Sequence, residues 1–216
     1  AIPTTVADML ALQSRLGTQV GLDGSGTHLV TGPAYHAAPG GYAFFDLSNG
    51  ADLFLMRRFD AARTLDLLEA EEVRHTHLVP TMMVRMLRLP AERRAAFSAP
   101  DLDLVLHGAA PISPTVKRRM IDWFGPILVE YWGTSEAGTF TSVGSEDLLR
   151  HPGTVGRAAP GFEVTGSEAL LLGLQLGLGS KHSSLRNDSV DYGLEVIGVD
   201  MDMIRDRISA EQHLGQ

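Results

Sequence analysis

Cysteine is missing from all 216 residues, so neither a disulfide framework nor thiolate chemistry is open to this chain. That absence fits a cytoplasmic protein. Grouped positive charge is equally scarce: 18 Lys and Arg stand against 26 Asp and Glu, a formal charge of −8. The densest basic run, Lys117-Arg118-Arg119, reads as a solvated helix face. A nucleic-acid surface needs clustered cations to neutralise phosphates, so no nucleic-acid partner is expected. Long hydrophobic runs are lacking too. The Leu/Gly-rich stretch from Glu168 to Gly179 is too short to cross a bilayer, and no transmembrane segment is expected. The first residues, Ala1-Ile2-Pro3-Thr4-Thr5, have no basic flank and no apolar run of the kind a signal peptide carries. Ala1 in place of an initiator Met points to an excised or processed chain.

What is present is 44% hydrophobic, enough for one sizeable core. Thr4 and Thr5 precede Val6, Met9, Leu10 and Leu12, which predicts a capped helix ending at Gly17. Strand patterns then alternate with helix patterns. Strands are expected over His28 to Thr31, Ala51 to Met56, Thr76 to Val79, Leu102 to Leu106 and Ile127 to Val129. Between them lie a helix beginning near Tyr42, after the turn-forming Pro39-Gly40-Gly41, and one capped by Asp60 with Ala61, Leu65 and Leu68 inward. Two more come after these, Met82 to Leu89 with Met83, Met86 and Leu87 inward, and one capped by Ser113 with Pro114 at its first position and Gly125 at its end. Strands separated by helices require crossovers and a largely parallel, layered sheet, so the fold class is α/β with flanking helices. His75 and His77 share a strand face, yet a protein zinc site needs three or four ligands and no third stands nearby.

The most informative stretch runs from Ile127 to Gly138. An apolar strand delivers Glu130, Tyr131, Trp132, Gly133, Thr134, Ser135 and Glu136, where polar groups crowd together. Open α/β sheets bind ligands beyond the carboxyl ends of their strands, and an aromatic, two hydroxyls and a carboxylate there suit a base, a phosphate and a cation. This segment resembles the aromatic-Gly-x-Thr-Glu adenine motif of the adenylate-forming superfamily, the AMP-forming acyl-CoA synthetases and their relatives. Pro33-Ala34-Tyr35-His36 with Gly40 and Gly41 is similar to that family's Pro-x-x-His motif. His107-Gly108-Ala109-Ala110-Pro111 is similar to its Gly-Ala-Pro turn, Val79-Pro80-Thr81 is a weaker match, and His151 to Arg157 resembles the segment that comes after the adenine motif. The order is the family's, over residues 28 to 164.

The resemblance implies roles residue by residue. Trp132 stacks on adenine, Ser135 bonds the α-phosphate and Glu136 ligates Mg²⁺, the latter two being the catalytic candidates. Ala110, Pro111, Tyr131, Gly133 and Thr134 border the nucleotide, while His36, Gly40, Pro80, Thr81, Gly108 and Ala109 line the acyl pocket. The implied substrates are ATP, coenzyme A and a fatty or other apolar carboxylic acid. Residues 1–138 are then an α/β subdomain carrying the acyl and adenine motifs, 139–164 the start of a β-rich subdomain, and 165–216 a tail that does not match the family. Val190 to Ile208 could form one strand and one acidic helix.

Departures from the pattern matter as much. Nothing in these residues resembles the family's Lys-containing, Ser/Thr/Gly-rich phosphate loop, its ribose-binding Asp or its catalytic C-terminal domain. The chain is therefore expected to be an internal fragment, inactive alone. Two other readings stand beside this one. A non-catalytic remnant would keep only an acyl or nucleotide pocket, with sheet edges left uncovered. A serine hydrolase would use Ser135 as nucleophile, with His107-Gly108 as an oxyanion turn and Asp147 and His151 as partners, which requires a helix straight after the motif.

Overall fold

Local signals start most of the elements. In the computed structural model, which describes residues 5–134 and 138–159, Thr5 caps the first helix, α1 (Val6–Gln19), through a reciprocal pair with Asp8. Asp60 caps α3 (Ala61–Ala70) by accepting from the Arg63 amide, and Ser113 caps α6 (Pro114–Phe124) by accepting from the Val116 amide. The other helices are α2 (Ala37–Asn49), α4 (Pro80–Leu87), α5 (Ala91–Ala95) and α7 (Ser145–Arg150). Glu146 and Asp147 in the first turn of α7 suit the positive end of its dipole.

The strands are β1 (Thr27–Val30), β2 (Asp52–Leu55), β3 (Val73–Leu78), β4 (Leu104–His107), β5 (Leu128–Thr134), β6 (Gly138–Gly144) and β7 (Arg157–Ala158). They form one sheet in the order β2-β1-β3-β4-β5-β6-β7. The first five are parallel, as the strand–helix alternation requires, and the last two are antiparallel. The α/β class with helices flanking a largely parallel sheet is thus what the chain adopts. The sheet runs on across residue 138, because β6 and β7 extend it beyond β5.

Burial keeps to the period of two that a sheet covered on both faces imposes. On β4, Val105 joins the core of α3, α4, α6 and α7, built on Leu65, Leu68, Met83, Met86, Met120 and Leu148, while Leu104 and Leu106 join Leu22, Tyr42 and Tyr131 on the α2 side. The inward Met83, Met86 and Leu87 are buried as their spacing predicts. Leu55, at the β2 edge of the sheet, stays exposed.

Four expectations need correction. Gly17 does not end α1. It lies buried inside the helix where α2 crosses, and a Cβ there would sit 2.9 Å from Asn49 Nδ2 and 3.1 Å from Phe45 Cβ. The second correction concerns α2, which begins at Ala37, not near Tyr42. Pro39 sits in the first turn, where a missing amide hydrogen costs nothing, and Gly40 is helical. Gly40 must lack a Cβ for another reason: one would fall 2.1 Å from the Ala34 carbonyl oxygen. Third, the strand expected over Ile127 to Val129 runs from Leu128 to Thr134, since β6 pairs with it from Val129 onward.

The fourth correction is Lys117, which is 6% exposed and ion-paired with Glu130 rather than part of a solvated face. Arg118 and Arg119 beside it are exposed as expected. The expectations for 165–216, including a strand and a helix in Val190 to Ile208, lie outside the described residues.

Candidate functional site

Because β1, β3, β4 and β5 run parallel, their carboxyl ends share one edge of the sheet, and the four motif segments begin there. Gly32 to His36 comes after β1, Val79-Pro80-Thr81 after β3, and Gly108 to Pro111 after β4. Residues Tyr131 to Thr134 continue β5 past its last partner on β4, where His107 pairs with Glu130. The chain reverses direction across the sheet between β1 and β3, so the segments bearing His36 and Thr81 flank that switch point. This is the edge at which sheets of this kind hold ligands.

The side chains there differ in availability. His36 is exposed at the N-terminus of α2, its ring 4.6 Å from that of Tyr35. Thr81 is exposed and Pro80 buried, both in the first turn of α4. Ala109, Ala110 and Pro111 are exposed, and Ala109 has a left-handed backbone with φ of 62°. Gly108 is buried against Tyr131. The space its missing side chain leaves is taken by that ring. Trp132 and Gly133 are half-buried, and Trp132 packs edge-on against Phe140 at 5.1 Å. Thr134 pairs with Gly138 in the backbone ladder. Ser135 and Glu136 lie outside the described residues.

After the motif the chain enters strand β6, antiparallel to β5. A nucleophile elbow requires a helix in that position, so the arrangement lacks the architecture of the hydrolase reading. Asp147 lies in α7, and His151 is that helix's C-cap.

Beneath this edge, on the α2 side of the sheet, lies a polar layer that the sequence did not announce. His28 and His75 both donate from Nδ1 to Asp46 Oδ2, at 2.9 and 2.7 Å, and Asp46 Oδ1 accepts the Gly24 amide at 3.0 Å. Burial alone would raise the Asp46 pKa, but the two imidazoles outweigh it and hold the group at about 2. His77 Nε2 is 2.9 Å from the Tyr131 hydroxyl, and burial pushes that imidazole down to about 3, with the neighbouring His28 adding to the shift. Tyr42 stacks beside it, its ring 5.7 Å from His77 and 4.7 Å from Tyr131. Burial raises the pKa of both phenols, so both stay protonated. His75 and His77 do share a face, but each is engaged, one by Asp46 and the other by Tyr131.

On the opposite side, His107 is buried, and both its ring nitrogens lack partners among the described residues. Burial and the Lys117 charge push it down to about 3. Glu130, raised by burial and partly restored by Lys117, completes that group. A sequence signal for Lys117 did exist: it is spaced three and four residues from Met120 and Ile121, on the buried face of α6.

The comparisons with known proteins agree with this geometry. A family model described as AMP-binding enzyme matches residues 2–165. A medium/long-chain-fatty-acid–CoA ligase of Mycobacterium tuberculosis, FadD8, is 33% identical over 127 residues, covering 56% of this chain and 21% of that protein. A probable CoA ligase of Humulus lupulus, CCL5, is 27% identical over 74% of this chain and 29% of its own length. Among solved structures, the inhibitor-bound N-terminal domain of FACL13 from Mycobacterium tuberculosis superposes with a TM-score of 0.59 at 25% identity, over 68% of this chain and 38% of that one. The amide bond synthetase McbA of Marinactinospora thermotolerans shares the fold, with a TM-score of 0.61 at 21% identity over 73% of this chain and 34% of that one. The chain thus spans 21% and 29% of the two curated relatives' lengths. Motif order, the shared sheet edge and the match over residues 2–165 converge: the chain belongs to the AMP-binding, adenylate-forming enzyme family.

Proposed function

We propose that these residues carry the acid- and adenine-binding part of an AMP-forming acid–CoA ligase. In that reaction a carboxylate oxygen attacks the α-phosphorus of ATP, the bond to the β-phosphate breaks and pyrophosphate leaves. The sulfur of coenzyme A then displaces AMP from the acyl-adenylate. The supporting observation is the convergence of His36, Thr81, Ala109, Ala110 and Trp132 at the carboxyl ends of β1, β3, β4 and β5. An indole suits a purine face, a hydroxyl at Ser135 suits a phosphate oxygen, and Mg²⁺ is typically held by one or two carboxylates plus substrate phosphates, the part assigned to Glu136.

The acid is read as apolar and fatty, in keeping with the relative named as a medium/long-chain-fatty-acid–CoA ligase. Such phosphoryl chemistry depends on positioning and charge neutralisation, so the 216 residues alone, which contain no phosphate loop of the family's kind, are expected to bind nucleotide without turning it over. The remnant reading differs only in denying that the assembled site is ever catalytic.

Equilibrium dialysis against AMP, then pyrophosphate release with ATP, Mg²⁺ and acids of graded length, tests both parts. AMP should bind, and Trp132→Ala should weaken it roughly tenfold, the usual size of one base–aromatic stack. A folded chain that does not bind AMP sinks the reading. Acid-dependent pyrophosphate release that disappears in Glu136→Ala would overturn the expectation of inactivity.

A further inference from the structure

The hairpin that carries Trp132 reaches beyond the parallel sheet. β5 pairs with β4 only through Leu128, Val129 and Glu130. Its remaining residues, Tyr131 to Thr134, have β6 as their one ladder partner among the described residues. At about 3.3 Å per residue, four residues carry the strand roughly 13 Å past its support. On the other side β7 reaches only Thr141 and Ser142. Thr139, opposite Gly133, therefore sits in the overhang with no third strand beside it among the described residues.

A side chain from another layer meets the hairpin there. The hydroxyl of Tyr42, on α2, lies 2.7 Å from Thr139 Oγ1, joining residues 97 apart in sequence. Tyr42 is held in turn by rings on three elements: Phe45 of its own helix, His77 of β3 and Tyr131 of β5. The helix that supplies it begins directly after His36. One bond thus ties the segment read as facing the acid to the strand pair read as facing adenine.

We infer that Tyr42 is a positioning residue, its bond to Thr139 fixing the β5–β6 overhang, and with it Trp132, relative to α2 and His36. This rests on the nucleotide reading for its purpose, but not for its physics. Trp132 and Tyr131 face Thr141 and Ser142, which β7 backs, so the overhang is two-stranded only at its tip, Gly133–Thr134 with Gly138–Thr139. Such a tip is marginal alone and twists more freely than a strand paired on both edges. A phenol locked between aromatic rings is a rigid anchor with two torsions to order, so its hydroxyl restrains the ribbon at little entropic cost.

Hydrogen exchange on the full 216-residue chain tests the anchor without any ligand. Tyr42→Phe and Thr139→Val should each speed amide exchange of residues 131–134 and 138–141 by about threefold to tenfold, the effect of losing one hydrogen bond. Amides of β1 and β3 should keep their rates. The double variant should exchange no faster than Tyr42→Phe, whose loss already includes the bond that Thr139→Val removes, and Thr139→Ser should keep wild-type rates. In parallel, AMP affinity by dialysis should fall by a similar factor in Tyr42→Phe and hold in Thr139→Ser. Unchanged hairpin exchange in either single variant overturns the proposal, as does acceleration spread equally over β1 and β3, which would mark plain destabilisation. If wild-type chain fails to bind AMP, the nucleotide reading falls, while the exchange pattern still decides whether Tyr42 anchors the hairpin.

Discussion

Gly108 and Tyr131 touch so closely that a Cβ added to Gly108 would lie 2.6 Å from the Tyr131 carbonyl oxygen and 2.8 Å from its Cζ. The nearest atom is backbone, so no side-chain rotation relieves the clash. Gly108→Ala should therefore cost about 1–3 kcal/mol, the range for overpacking a filled core. Urea unfolding measures it, and a loss below about 0.5 kcal/mol, the scatter of ordinary surface substitutions, would contradict the packing described.

The next residue should respond in the opposite sense. Ala109 holds a left-handed backbone, φ 62°, which is costly for a side chain with a Cβ and free for glycine. Ala109→Gly relieves that strain and gives back part of it through the looser unfolded chain, for a net gain of about 0.5–1 kcal/mol. A lower melting temperature in this variant would refute the assignment of strain.

Acid should unfold the protein steeply. His77 and His107 have folded pKa values of about 3, against about 6.5 in an unfolded chain, so between those limits the unfolded state binds more protons. Their stabilising effect is complete above pH 7 and declines as pH falls from about 6.5 to 3, each imidazole lowering the folding equilibrium by at most about tenfold per pH unit. Asp46, held at about 2, adds a further loss at the lower end, from about pH 4 to pH 2. Urea titrations at stepped pH should show this slope, and His77→Gln should roughly halve it. A stability independent of pH between 4 and 6 would contradict the buried, neutral imidazoles.

Breaking the buried pair should be expensive and removing it cheap. Lys117→Met leaves Glu130, whose side chain is only 12% exposed, without its partner, at a cost of up to about 3–5 kcal/mol, the range for breaking a buried pair. Adding Glu130→Leu should recover most of that, because neither charge then needs solvation. A double variant as unstable as the single one would show that the ion pair does more than satisfy itself.

The sequence and the structure agree wherever the information is local. The caps at Thr5, Asp60 and Ser113 were readable because their partners lie three residues away, and the methionines of α4 because their spacing puts them on one helix face. The parallel sheet was legible from alternation alone. Misreadings arose where the deciding contact is distant. Pro39 and Gly40 look like breakers until Ala34 is seen beneath them, and Gly17 looks like a stop until α2 crosses it. The polar layer was illegible for the same reason, since Asp46 meets His75 from 29 residues away and His77 meets Tyr131 from 54. At the site, the motif segments and their shared edge were legible, whereas the occupation of the Gly108 space by Tyr131 was not.

The mixed sheet also carries a consequence for the order of folding. β5 and β6 pair through Thr134 and Gly138, four positions apart, while β1 and β3 cannot meet until the intervening α2, β2 and α3 have been spanned. Closing a short loop costs far less chain entropy than closing a crossover, and hairpins form in microseconds. The ribbon bearing Trp132 is then the earliest piece of sheet able to form, and Tyr42 arrives later to clasp it. Slow refolding phases should accordingly report on the parallel strands, and because the ribbon is marginal alone its full protection should come only with them, when Tyr42 docks.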